Sequence, residues 1–132
     1  MKVKGTEEIL GGYNPLIWNA NAAGNSFSGS GNWERTNDSF IFSLKNGNIQ
    51  NSILSRVKLI DSAIWNAHKN FQQIYGPWFG DELGMFKPMF GKEIVEIVYK
   101  NNGYYENPIR TRTMTNKLLI SDYEVFKVNK KT

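Results

Sequence analysis

The chain has 132 residues, 40% of them hydrophobic and 14% aromatic, and a net charge of +4. That is enough apolar material for one packed domain and too small a charge imbalance to mark a nucleic-acid-binding surface. The absence of Cys excludes disulfides, thiolate nucleophiles, thiol-based peroxide chemistry and Cys-based zinc sites.

In chain order, residues 1–4 read as the end of a strand, Gly5-Thr6 as a turn and residues 7–13 as the return strand. A hairpin that opens at residue 1 has little before it to pair with. The expectation is one domain over residues 1–132 that lacks its N-terminal part. Gly11 and Gly12 weaken the return strand and predict a bulge or bend, or the close approach of another backbone. Residues 19–32 are rich in Gly, Ala, Asn and Ser, with Phe27 the one large apolar residue, and read as a flexible surface loop. Within it, Gly29-Ser30-Gly31 lacks the following Lys and the strand–loop–helix setting of a phosphate-binding loop. Asn37-Asp38-Ser39 matches a glycosylation sequon but reads better as a turn that starts a strand.

Residues 38–45 alternate, with Phe40, Phe42 and Leu44 on one face and Ser39 and Ser43 on the other. Ile41 breaks the polar face, so both faces are expected to be partly covered. Asn46-Gly47 signals a hairpin into a strand over residues 53–57. Residues 62–66 form another strand, and residues 67–74 fit either a short helix or a loop. Tyr75-Gly76-Pro77 predicts a turn. Residues 79–86 read as a glycine-crowded strand, residues 93–100 as a strand, and Asn101-Asn102-Gly103 as the turn that closes it. The last strand is expected over residues 122–128, with residues 129–132 a fraying tail. About seven or eight short strands with little helical periodicity favour an antiparallel sandwich.

The chemistry available is thin. His68 is the one histidine; it cannot hold zinc unaided, and no nucleophile elbow accompanies it, since Ser28 and Ser30 sit in the wrong kind of loop. Asp81 and Glu82 could bind a metal or act as an acid/base pair, but neighbours on a strand point to opposite faces. Trp18, Trp33, Trp65 and Trp78 are expected mainly in the core, with Trp78, beside Gly76-Pro77, the most exposed. Tyr104-Tyr105 is a second candidate surface anchor. No catalytic, metal or cofactor site is expected. No apolar run reaches the about 18 residues of a membrane span, and residues 1–8 lack a secretory signal's apolar stretch. Together with the missing Cys, this fits a cytoplasmic protein without a transmembrane segment. Lys127, Lys130 and Lys131 read as a solvated tail and not as a nucleic-acid contact.

Six segments in order resemble the TLDc domain family. Gly11-Gly12-Tyr13-Asn14-Pro15 with Trp18 is similar to its glycine-glycine-tyrosine opening, and Asp38-Ser39-Phe40-Ile41-Phe42 to its aspartate-serine-phenylalanine strand. Residues 53–57 with Ala63-Ile64 fit the segment that follows. Tyr75-Gly76-Pro77-Trp78-Phe79-Gly80 is similar to the family's glycine-proline-x-phenylalanine-glycine stretch. Tyr105-Glu106-Asn107-Pro108-Ile109 and the run Tyr123-Glu124-Val125-Phe126-Lys127-Val128 are similar to its closing segments.

The resemblance implies an α+β, mostly β fold: an antiparallel two-sheet β-sandwich with short peripheral helices. It implies a non-enzymatic protein-interaction module acting in oxidative-stress protection or in regulation of the vacuolar proton-pumping ATPase, whose cytosolic sector would be the partner. The alternative is the C-terminal module of a BTB-type adaptor. A hydrolase or a glycan-binding sandwich using Trp78, Tyr104 and Tyr105 remains in competition. The long loop at residues 19–32, the expanded stretch 86–103 and the absent N-terminal helices depart from the family pattern. A sandwich lacking an outer strand exposes backbone and apolar groups. Losing even about 200 Å² of burial costs about 5 kcal/mol, so the chain is expected to be marginally stable alone.

Overall fold

A computed structural model describes residues 1–3, 6–16, 31–45, 48–67, 74–87, 95–110 and 116–124. They form ten strands: β1 (Lys2–Val3), β2 (Ile9–Tyr13), β3 (Gly31–Glu34), β4 (Phe40–Lys45), β5 (Asn48–Arg56), β6 (Ile64–Ala67), β7 (Tyr75–Phe79), β8 (Leu83–Phe86), β9 (Glu96–Tyr99) and β10 (Asn116–Asp122). Every pairing is antiparallel, in the order β3-β6-β7-β8-β9-β10-β1-β2-β4-β5. The ladder divides into two sheets that share β10. Its residues 116–119 pair with β9, while Ile120 and Asp122 pair with β1. The core lies between the sheets, where Val3, Leu10 and Ile41 from one meet Ile64, Phe79, Leu83 and Ile97 from the other. The fold is thus the expected antiparallel two-sheet sandwich. The helical part among the described residues is one 3-10 turn, Ile60–Ser62, so peripheral α-helices are not found there.

The first hairpin closes as expected, with Thr6 Oγ1 donating to the Val3 carbonyl at 2.9 Å. Its first strand is not left unpaired: β1 lies between β2 and β10, because the C-terminal strand returns to supply its partner. The ends of the described ladder are β3 and β5 instead. Gly11 and Gly12 form no bulge; β2 runs in regular register with β4 from Ile9↔Leu44 to Tyr13↔Phe40. What approaches these glycines is ring, not backbone. A Cβ at Gly11 would meet the Phe42 ring at 2.5 Å, and one at Gly12 the Phe79 ring at 2.7 Å.

Four further expectations are corrected. Gly31 and Asn32, expected as the end of the loop, begin the strand Gly31–Glu34; residues 17–30, with Trp18 and Phe27, lie outside the described residues. Tyr75-Gly76-Pro77 is not a turn but the start of β7. Between Tyr75↔Phe86 and Trp78↔Gly84 the strand carries one extra residue, an irregularity that accommodates a proline with no N–H to give the ladder. The turn comes five residues later than Tyr75, where Gly80 takes a φ of +57°, so residues 79–86 are a hairpin and not one strand. The last described strand is β10, ending at Asp122; Tyr123 and Glu124 are outside it, and Phe126 lies beyond the described residues, as does His68. The Asn46-Gly47 hairpin is seen through the Lys45↔Asn48 pair that flanks it.

β4 reverses its expected polarity. Ser39, Ile41 and Ser43 face the core, at most 1% exposed, while Phe40, Phe42 and the Leu44 position on the other face are only half covered. Both faces are therefore partly covered, as Ile41 suggested.

Candidate functional site

Two of the inward serines, Ser39 and Ser55, have partners in one segment, residues 103–110, which crosses the sandwich. Gly103, with φ +76°, turns the chain out of β9. Tyr105 then forms a bridge with Val57, while its neighbour's carbonyl, on Tyr104, accepts from the Lys58 and Leu59 amides at 2.8 and 3.0 Å. The Asn107 amide donates to Ser55 Oγ at 2.7 Å and the Ile109 amide to the Tyr99 hydroxyl at 3.0 Å. Arg110 Nη1 meets Glu8 Oε1 at 2.6 Å, and Ser43 Oγ donates to the other oxygen of the same carboxylate at 3.3 Å. A backbone segment without strand partners on both sides must find acceptors inside the protein. Small hydroxyls at Ser39, Ser43 and Ser55 leave room for it.

At the centre is Tyr105, 2% exposed. Its hydroxyl lies 2.8 Å from the Ala63 carbonyl and 2.7 Å from Ser39 Oγ, and Ser39 Oγ lies 2.9 Å from the Tyr13 carbonyl. Two hydroxyl protons serve these three contacts, so Ser39 donates either to Tyr105 or to Tyr13. Burial pushes the Tyr105 phenol far above its usual range and raises that of Tyr99. Both stay neutral phenols, and Ser39, 1% exposed, has no base beside it among the described residues. These hydroxyls hold chain; they do not present a nucleophile.

Glu82 is 1% exposed. Its Oε1 accepts the Tyr105 amide at 2.9 Å, and the amides of Tyr104 and Gly103 also point toward the carboxyl. Its Oε2 is buried without a hydrogen-bond partner among the described residues. Burial dominates and raises its pKa, against the opposing pull of the three amides and with a small further push from Asp81. Asp81 points elsewhere, to Lys100 Nζ at 3.1 Å and Asn102 Nδ2 at 3.0 Å. The two adjacent acids therefore diverge, as neighbouring residues were expected to. Among the described residues no three His, Cys, Asp or Glu side chains gather as a metal site.

The second candidate region is the outer face of β3, β6, β7 and β8. Trp33 pairs with Trp65, Trp65 with Trp78, and Trp78 with Gly84, placing three indoles in one cross-strand row. Trp65 and Trp78 meet edge to face at 6.1 Å and 83°, Trp65 and Tyr75 at 5.1 Å and 88°, and Tyr75 tilts on Phe86 at 5.4 Å. A Cβ at Gly84 would fall 2.1 Å from the Trp78 ring, and Trp78 Nε1 donates to the Met85 carbonyl at 3.1 Å. Rings packed edge to face offer no flat run for stacking sugars. Trp78, expected to be exposed, is buried, and so is Tyr105; Tyr104 is half-buried. Among the described tryptophans the exposed one is Trp33, 46% accessible and stacked on Tyr104 at 5.8 Å. Sequence reading placed it with the core tryptophans because Gly31-Asn32 look like loop and give no alternation from which to read a face.

The motif segments converge. Gly11 and Gly12 seat the rings of Phe42 and Phe79, Tyr13 and Phe40 have ring centroids 5.4 Å apart, and Ser39 bonds the Tyr13 carbonyl. Gly80 turns under Tyr104, where a Cβ would come within 2.9 Å of its side chain. Gly76 and Pro77 lie at the irregularity of β7. Pro15, Asp38 and Glu124 are exposed; Asp38 belongs to the turn that starts β4, with its amide on Thr36 Oγ1. No helix among the described residues is long and apolar enough to cross a membrane. Comparison with known proteins finds no matching family model, no matching curated protein and no matching solved structure.

Proposed function

We propose that the chain is a non-enzymatic protein-interaction module of the TLDc type, acting in the cytoplasm in oxidative-stress protection or in regulation of the vacuolar proton-pumping ATPase. One observation carries the reading. The segments that resemble the family, tens of residues apart in sequence, pack directly on one another through Gly11–Phe42, Gly12–Phe79, Tyr13–Phe40 and Ser39–Tyr13. Residues that form one joint in space are what a family signature of structural origin consists of. The sandwich agrees with the fold the resemblance implies. The interaction reading draws support from Ser39 and Glu82, whose polar atoms are turned inward to the chain's own backbone.

The test is direct binding of the purified chain to the purified cytosolic sector of the vacuolar ATPase. Saturable retention that Trp33→Ala weakens supports the pump reading. Retention by neither that sector nor a BTB-containing adaptor, with the fold intact by circular dichroism, removes it.

A further inference from the structure

We propose that Asn102-Gly103 is a modification site, where asparagine converts to aspartate and isoaspartate by attack of its own chain, at a rate restrained by Asp81. The sequence holds Asn-Gly twice, at residues 46–47 and 102–103. The reaction needs the amide nitrogen of the next residue to reach the side-chain carbonyl carbon. Glycine hinders that approach least, because it carries no side chain. Asn102 is exposed and lies outside the strands, just past β9. Gly103 takes a φ of +76°, and nothing lies within 4 Å of where its Cβ would stand. The reaction balances without a redox partner. The Gly103 nitrogen bonds to Asn102 Cγ, the Cγ–Nδ2 bond breaks, and ammonia leaves with the proton that the Gly103 nitrogen gives up. Water then opens the imide ring. Cleavage at Cγ leaves aspartate; cleavage at the main-chain carbonyl carbon leaves isoaspartate, with the chain running through Cβ.

The fold supplies the restraint. Asn102 Nδ2 donates to the Asp81 carboxylate at 3.0 Å and to the Asp81 main-chain carbonyl at 3.2 Å. Both partners are acceptors, so they hold the amide nitrogen, which is the leaving group, against the β7–β8 turn. Ring closure starts when the Asn102 side chain swings free of Asp81. The product reverses the contact. Its carboxylate has no proton to donate and carries the same charge as Asp81, so attraction becomes repulsion. Lys100 stays on the other Asp81 oxygen, at 3.1 Å, and does not replace the lost donor. Conversion therefore unties the β7–β8 turn from the end of β9, and refolding does not restore the tie.

Peptide mapping of the whole chain by mass spectrometry tests it, with an isoaspartate-specific carboxyl methyltransferase as the label. Asn102 is expected to convert while the folded chain is incubated at neutral pH. Asp81→Ala raises the rate about two- to tenfold, the range expected from releasing one net hydrogen bond. Lys100→Met, which cuts the ion pair and leaves the Asn102 bonds in place, keeps the wild-type rate. An Asn102 that stays intact in the folded chain while the urea-unfolded chain converts overturns the site. Equal rates in wild type and Asp81→Ala, or the same rise in Lys100→Met, overturn the restraint. Should Asp81→Ala fail to fold, the wild type is compared folded and in urea. Conversion at Asn102 must then be slower in the folded chain; an equal or faster rate overturns the proposal.

Discussion

The two faces of this sandwich are built from opposite materials. Inside β4 and β5, serines meet a crossing segment of backbone; outside β6, β7 and β8, indoles pack on one another and on glycine. The difference shows that side-chain polarity alone does not define the interior. A buried stretch of chain without sheet partners needs acceptors, and a small hydroxyl supplies one at little cost in volume. On the outer face, large rings laid edge to face cover the strands from β6 to β8.

Mutations can break this contrast in order of size. The largest effect is expected on the aromatic face, where Trp78→Ala removes a buried indole and costs about 3–5 kcal/mol in urea unfolding, with an unchanged slope. Gly84→Ala drives a methyl into the same ring and costs about 1–3 kcal/mol, or more where the β7–β8 pairing cannot shift. On the polar side, Tyr105→Phe leaves the Ala63 carbonyl and Ser39 without a shared partner. It is expected to cost about 1–3 kcal/mol, and Ser55→Ala, which orphans the Asn107 amide, about the same or less. If Tyr105→Phe proves neutral, the polar segment is packing and not hydrogen bonding.

Acid and base sharpen the same comparison. Burial raises the Glu82 carboxyl, so the folded chain keeps its proton to higher pH than the unfolded chain. Its favourable contribution is present below the ordinary value of 4.5 and is lost as pH rises through the folded value. Glu82→Gln should remove that part of the slope of Tm against pH, while Asp81→Asn, whose carboxylate bonds Lys100 and Asn102 and gives Glu82 only the smallest of its pushes, leaves it largely in place. The smallest effect is expected at Trp33. Trp33→Ala should change stability by about 0.5–1 kcal/mol at most, because nearly half of the ring is already in water. A larger loss would mean that the Trp33–Tyr104 stack is part of the core.

Much of the architecture was legible in the residues. Short β-rich runs separated by turn residues specify an antiparallel body of strands, and the dipeptide Asn46-Gly47 marks a hairpin whose flanking pair is Lys45↔Asn48. The pairing of β1 with β10 was not legible, since contact between strands more than a hundred positions apart leaves no local pattern. Pro77 misled for a related reason. It reads as a turn, yet β7 absorbs it with one extra residue where no ladder bond is required of it.

The local sequence by itself determined which segments extend and where most of them turn, because backbone preference is set by each residue and its immediate neighbours. Only the tertiary structure decided which face of β4 looks inward, which of the described tryptophans meets water and what Ser39, Ser43 and Ser55 bind. Those depend on what lies opposite: the segment 103–110 across Ser39 and Ser55, and the glycines at positions 12 and 84 beneath Phe79 and Trp78. An alternating strand has two candidate faces, and hydrophobicity chooses between them only when the opposite layer is apolar. Here that layer is partly a peptide backbone, so hydrogen bonding made the choice.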